Sequence, residues 1–556
     1  MVNKATLFSF FISMLLLLGC NNNSTGPDNT NDNGDDSTSG SLMADAGSDS
    51  DEVVGFEVTA DGAGSSSGVS YSWTISSQPE NSSAFLSDAN TVNPKFIPDL
   101  PGEYILQLEV TSGGETETDE VTFSAIAKRI FVDANNGADG SIAGYLPETP
   151  LKTISQALSR ISQNENDTFL DIDTMRVAQG VYDEANGENF PLDFYGPLIV
   201  KGDQNVDRDD IHILSPDVDR DAATRIGEGV TLRHMHIENG YTGGTYSGDP
   251  DAVFVFSGSD MNTSTVLLED VTITMNAEEG KGISTGNNMT VELRGNDGAR
   301  NLFNGNDIGL AYTNRFNTDN ITINISDTDF ENTGDGGVFD VDDIDNLTIN
   351  VINTTFKPGN GNVNASAFEL KDEVDLTLDD VTITSSSGME GGERFKYGIV
   401  MNNAQPNTNI EVKNSTIQFT QWSAIWMRES VVKVTESVIE GVYTHQSNVN
   451  TYYDAIKQSD GTLTVRGTIF RDMNTSAIEV GGPSSDLGTD QDDGNNVFQN
   501  VRGFDVEVLS GADVSAFGNT WSNGATPRCV TDYENGEVFV NDQGGSLRYS
   551  DTGVCN

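Results

Sequence analysis

Along the second half of the chain a five-residue pattern recurs ten times: a small residue, an apolar one, any residue, a second apolar one, any residue. The copies begin at Ala252, Gly282, Gly309, Val338, Ala367, Gly398, Ala424, Ala455, Ala477 and Gly503, roughly 22 to 31 residues apart. Each copy alternates as a short strand does, and the spacing is that of a stacked repeat. A second apolar run precedes most copies, as in Ile321-Thr322-Ile323-Asn324 and Leu463-Thr464-Val465. A third and shorter run lies between, as in Thr328-Asp329-Phe330 and Ser437-Val438-Ile439. Three strands per coil, broken by Asn, Asp and Gly at the bends, predict an all-β solenoid, a parallel β-helix with one long core.

The pattern is absent from residues 43–126. There Val69 to Ile75 and Gly102 to Val110 alternate as half-buried strands, Glu120 to Phe123 closes the segment, and Trp73 is a candidate core residue. About eighty residues of this kind predict a small β-sandwich. The stretches Tyr71 to Pro79 and Asn93 to Val110 resemble the PKD-type immunoglobulin-like repeats of exported bacterial proteins, which implies a spacer or a binding module.

Composition narrows the partners. The net charge is −57, from 86 acidic against 29 basic residues. Such a surface repels nucleic acid and anionic membranes and attracts cations. Near the N-terminus, Lys4 precedes an apolar run from Phe8 to Leu18 that is too short to span a bilayer. The run ends in Leu17-Leu18-Gly19-Cys20, which resembles the lipobox of bacterial lipoproteins. That resemblance implies a signal peptide over residues 1–19, lipidation of Cys20, and a body held in the cell envelope. The expected location is the outer membrane, facing periplasm or exterior. Residues 20–42, rich in Asn, Asp, Ser and Gly, read as a disordered tether. Cys529 and Cys555 remain as an even pair in an exported chain and predict a disulfide at the C-terminal end.

The junction into the repeats carries Ile130-Phe131-Val132-Asp133-Ala134-Asn135-Asn136-Gly137, then Thr149-Pro150-Leu151-Lys152-Thr153-Ile154 and Val177-Ala178-Gln179-Gly180-Val181-Tyr182. This region resembles the N-terminal part of pectate-lyase-like β-helix proteins of the set called domain of unknown function 1565. The resemblance implies a right-handed parallel β-helix over residues 127–556. Thr149 and Pro150 predict the start of a capping helix over about 149–162, with Leu151, Ile154, Leu158 and Ile161 on the face that plugs the core.

In each copy the third and fifth residues are expected to face outward. The third column holds Ser284, Asp340, Glu369, Val400, Trp426, Lys457, Glu479 and Asp505, and the fifth holds Asp342, Lys371, Asn402, Arg428 and Glu507. At about 4.8 Å per rung the face is of order 43 Å long, room for several sugar units. Trp426 offers an apolar surface to a sugar ring, Arg428 and Lys457 suit a carboxylate or sulfate, and Asn402, Lys371, Tyr452 and Tyr453 extend the candidate binding surface. For polysaccharide lyases of this fold a Lys or Arg acts as base and calcium acidifies the proton beside a uronic carboxylate. By that resemblance Lys457 and Arg428 are candidate catalytic residues, and Asp340, Asp342 and Glu369 are candidate Ca2+ ligands. A glycoside hydrolase would instead pair Asp340 with Glu369. No segment matches a characterised catalytic signature of either group.

The expected function is therefore contact with extracellular polysaccharide or another surface ligand. A lyase or hydrolase acting on an acidic polysaccharide is the enzymatic alternative, and a structural adhesin without glycan specificity is a third. A plain solvated strand face is the reading against all three. Two weaker motifs stand apart. Asp217 to Asp221 with Glu228 imitates an EF-hand loop, with Ala222 where Gly is required. His234 and His236 lie on one strand face and suit zinc, with no further ligand evident.

The anchoring reading is tested by Cys20→Ala. The substitution is expected to move the protein from the membrane pellet to the soluble fraction and to abolish fatty-acid labelling. A variant that stays in the pellet would overturn it.

Overall fold

The structure, a computed structural model, describes residues 41–556 except 165, 218–221, 243–250, 257–263, 277–280, 287, 297, 306–307, 313–319, 334–337, 342–345, 360–365, 372, 386–393, 402–406, 443–453, 525, 532–537 and 541–543. The signal peptide, Cys20 and all but the last residues of the tether lie outside the described residues.

The chain is all-β. Fourteen strands form one sheet with parallel pairings throughout, from Leu192–Phe194 at one edge to Cys529–Val530 at the other. Each inner strand pairs with a strand on either side, so that Trp426 lies beside Val400 on one side and Lys457 on the other. The strands of the second and third apolar runs pair in the same way. Ile321–Thr333 lies along Leu347–Pro358, which lies along Val374–Ile383.

These longer strands turn at a residue in the left-handed region: His234, Asp270, Asp327, Asn353 and Asp380 have φ between 45° and 58°. Asn and Asp are the side chains that tolerate this conformation best. The turn resets the alternation of faces. Leu268 and Val271, three residues apart across Asp270, are both fully buried, and Leu378 and Val381 repeat the arrangement across Asp380. One turn residue holds the next through its side chain, since the Asn353 amide donates to Asp327 Oδ1 at 2.6 Å.

Inward positions stack like on like. Phe303, Phe330 and Phe356 form a column with centroids 4.6 and 4.9 Å apart, and Phe470, Phe498 and Trp521 form another at 5.2 and 5.4 Å. Near the C-terminus Cys529 and Cys555 are joined by a disulfide, with Cα atoms 5.6 Å apart.

The N-terminal segment is mainly antiparallel, with Ser50–Val53 added in parallel beside Phe123 to Ile126. Ser70–Ser77 pairs with Gly102–Ser112, which pairs with Glu115–Val132. The short pair Val58–Thr59 and Lys95–Phe96 packs Phe96 against Tyr104 and Phe123, each at 5.5 Å. Glu115–Val132 does not stop at the expected boundary near residue 126. Its first part is antiparallel to Gly102–Ser112, and from Ala127 onward it runs parallel to Leu170–Val177. One continuous strand thus belongs to both regions.

The helix is shorter than its sequence suggests. It spans Ile154–Ile161 and is capped by Thr153, whose hydroxyl accepts from Gln156 N at 3.2 Å. Leu151 forms a parallel bridge with Val132 instead, so residues 149–151 extend alongside that strand and the helix begins after them. The buried Glu188 carboxylate accepts from Ile154 N at 2.6 Å and Ser155 N at 2.9 Å, covering the amides left open at the helix start.

Ile425 is fully buried and Trp426 only partly so. Ile425→Asp places an unpartnered carboxylate in the core and is expected to cost at least about 4 kcal/mol, against no more than about 2 kcal/mol for Trp426→Ala. Thermal melts of the two variants check this. Equal losses would mean that the inward and outward faces are exchanged.

Candidate functional site

The in-register pairing places Asp340, Glu369, Val400, Trp426, Lys457, Glu479, Glu507 and Phe539 in a single file across adjacent strands. At about 4.8 Å per step, Trp426 and Lys457 are direct neighbours. Arg428 is exposed and its guanidinium lies 4.6 Å over the Trp426 ring. The indole N–H of Trp426 donates to Ser459 Oγ at 3.2 Å.

On the preceding strand Tyr397 packs against both Trp426 and Trp422, at 5.4 and 5.3 Å, and Lys396 Nζ sits 4.0 Å over the Trp422 ring. Two partly exposed indoles, each met by a cation, therefore pack on the one Tyr397 ring. Cation–aromatic pairs at exposed positions contribute about 0.5–1 kcal/mol each. Trp422, Tyr397 and Lys396 lie outside the five-residue copies or at their margins, which is why the column reading missed them.

Three carboxylates meet beyond Lys457. Oxygen atoms of Asp454, Glu479 and Glu507 all lie within 4.8 Å of one another, and all three residues are buried. Lys457 Nζ reaches Glu479 Oε1 at 2.7 Å. Asp454 is fully enclosed, and among the described residues no N–H or O–H donates to either of its oxygens. Burial, and then the Glu479 and Glu507 charges, hold its carboxyl well above the usual carboxylate range, with Lys457 opposing. Without a cation, the cluster therefore favours the protonated form of Asp454 beside Glu479. Three carboxylates and one ammonium sum to −3 + 1 = −2, the charge that one divalent cation cancels. An all-oxygen set with orphaned acceptors suits a hard ion such as Ca2+.

Several expectations change here. The third column is not uniformly outward: Ser284, Val400, Glu479 and Asp505 are buried. Ser284 hydroxyl donates to Asp251 Oδ2 at 2.5 Å, and Ser522 donates to the Asp505 carboxylate from its amide and its hydroxyl. The last copy is also out of step by two residues. Glu507, not Asp505, stands beside Glu479, because Val506-Glu507-Val508 repeats Ile478-Glu479-Val480. That matched triplet was the available signal for the acidic cluster, while Asp454, one residue ahead of its strand's small position, gave none.

Glu369 follows Asp340 in the file, and Lys371 comes just after Glu369's strand. Asp342, Asn402, Tyr452, Tyr453 and the side chain of Asp340 lie outside the described residues. Lys457 is engaged by Glu479, and Arg428 by Trp426.

The histidines are arranged differently from the expectation. His234 occupies a left-handed turn at φ 58°, which separates it from His236; it contacts Asp270 Oδ2 at 2.6 Å and Val206 O at 2.9 Å. His236 stacks on His212 at 4.2 Å, with Glu238 2.9 Å from His212 Nε2 and Thr274 Oγ1 2.8 Å from His236 Nε2. Burial and the His212 neighbour push His236 down to about 4, so it is neutral at pH 7. In the EF-hand-like stretch, Asp219 and Asp221 lie outside the described residues. The Asp217 carboxylate accepts from Thr242, and Ala222 already begins a strand.

A family model described as a protein of unknown function, DUF1565, matches residues 135–333, about a third of the chain. The file from Trp426 to Glu507 lies beyond it. No curated protein matches the chain. Among solved structures, the PKD domain from KIAA 1837 protein matches at 25% identity over 15% of this chain and 83% of that one, with a TM-score of 0.14.

A raised Asp454 pKa means that the folded state holds a proton which the unfolded chain releases near pH 4. Without divalent cations, stability from this group is lost as pH rises above that value. Asp454→Asn is therefore expected to match the wild type near pH 4 and to exceed it at pH 7 by on the order of 1–3 kcal/mol. Calcium should raise the wild-type melting temperature and leave Asp454→Asn unmoved. A difference that is flat with pH would show Asp454 ionised in the fold.

Proposed function

We propose that this chain is an envelope-anchored, extracellular protein that binds acidic polysaccharide on the Trp426 face of a right-handed parallel β-helix, with the N-terminal sandwich as an immunoglobulin-like spacer. The observation that carries the reading is the pairing of two partly exposed indoles, Trp422 and Trp426, with Lys396 and Arg428 on a protein of net charge −57. Cations kept on aromatic faces within so acidic a chain favour a ligand that brings both a ring and a negative charge. Arg428, exposed, can turn its guanidinium from the indole to a sugar carboxylate or sulfate while the ring packs on the sugar.

A calcium-dependent lyase is the second reading, favoured by the carboxylate cluster beside Lys457. Bound at Asp454, Glu479 and Glu507, calcium would supply acidification of the substrate proton. Lys457, released from Glu479 and having first given its own proton to water, would take the substrate proton as the neutral amine. A hydrolase that uses this cluster is disfavoured, since Asp454 is fully enclosed and cannot touch a sugar.

Purified protein is expected to bind uronate-rich or sulfated polysaccharide and not neutral glycans. Arg428→Ala with Lys396→Ala should abolish binding, and Trp426→Ala should weaken it by roughly 1–3 kcal/mol if sugar stacking resembles base stacking. Unsaturated uronate product that forms with calcium and disappears in Lys457→Ala would establish the lyase. Failure to bind any glycan on a broad array would overturn the proposal.

A further inference from the structure

A second site lies at the opposite end of the repeats. There the outward file of side chains runs Phe131, Arg176, Lys201, Arg233, Glu269 across neighbouring parallel strands. Arg233 is matched by Glu269 at 2.7 Å. Among the described residues Arg176 and Lys201, one strand apart, make no ion pair, and neither does Arg129, which lies 4.5 Å over the ring of Phe56. All three line one cavity of about 510 Å3, together with Asp133, Asp203 and Gln204.

The acids in that lining are already committed. Asp133 accepts from the Asn135 and Asn136 amides at 2.9 and 3.0 Å and from the Asn136 side chain at 3.0 Å. Asp203 accepts from Asn205 twice, at 3.0 and 2.7 Å. Acids outnumber bases 86 to 29 along the chain, yet here three cations line one cavity with two acids, and neither acid forms an ion pair with them. Burial first, and then Arg176 and Arg233, press the Lys201 ammonium below its ordinary range, with Glu269 opposing. Such an arrangement destabilises the empty protein and is relieved by an anion.

We infer that this cavity binds a small organic anion with at least two acidic groups, gripped by Arg129, Arg176 and Lys201. The volume is that of a ligand pocket and exceeds what a lone inorganic anion fills, so the ligand is of monosaccharide to disaccharide size. Arginine forks suit carboxylate, sulfate and phosphate alike, and that shared chemistry defines the class. The site is separate from the Trp426 face and stands whether or not that face binds polysaccharide.

Calorimetry with digalacturonate, a disulfated disaccharide and glucose 1,6-bisphosphate decides it, with maltose as the neutral reference. Titrations in the background of Arg428→Ala with Lys396→Ala keep the other face from contributing. At least one acidic probe should bind with an affinity that falls as salt rises, and the probe that binds identifies the acidic group. Arg176→Ser or Lys201→Ser should each weaken binding about tenfold and the double variant should abolish it, while Arg176→Lys retains part. Circular dichroism and melting curves confirm that the variants fold; if Lys201→Ser does not, Arg176→Ser alone carries the test. Absence of binding by every acidic probe at millimolar concentration, or equal binding by the double variant, would overturn the inference.

Discussion

In-register parallel pairing is the constraint on which everything else in this molecule rests. Backbone N–H and C=O groups of these strands bond to strands one repeat away, so a side chain is fixed above its counterpart some 22 to 36 residues earlier in the chain. The hydrophobic core follows as stacks of like residues, the phenylalanine columns among them. The surface follows as files whose neighbours are set by register alone. A residue's chemistry here is decided less by its sequence neighbours than by what occupies the same place in adjacent repeats.

That rule concentrates charge, for good or ill. Where an acid lies beside an asparagine, as Asp327 beside Asn353, the file is quiet. Where Glu479 lies beside Glu507 with Asp454 alongside, repulsion is relieved only by a proton, by Lys457 or by a cation. Where Arg176 lies beside Lys201 the sign is reversed and the same tension persists. Both clusters are places where stacking brings together charges that would separate on a less regular scaffold.

The architecture was largely legible because alternation and repeat spacing survive in single residues. Trp426 and Lys457 were recognisable as neighbours because their copies align without ambiguity. What escaped was everything set at the corners. The left-handed turn at His234 breaks the alternation that would have kept it beside His236, and a shift of two residues put Asp505 where Glu507 belongs. Asp454 lies just ahead of its strand, where no alternation rule applies, and its burial comes from long-range packing. The helix start erred for a similar reason, since Val132 draws Leu151 into a bridge that local helix signals do not foresee.

The strand Glu115–Val132 has a mechanical consequence. Ser50–Val53 lies parallel to its Phe123–Ile126 portion, and the remainder continues directly into the pairing with Leu170–Val177. A pull on the N-terminal side therefore loads these parallel hydrogen bonds in shear, many at once, instead of peeling them one after another. Traction passes along a single backbone from the first region into the long sheet, with no hinge between them to yield first.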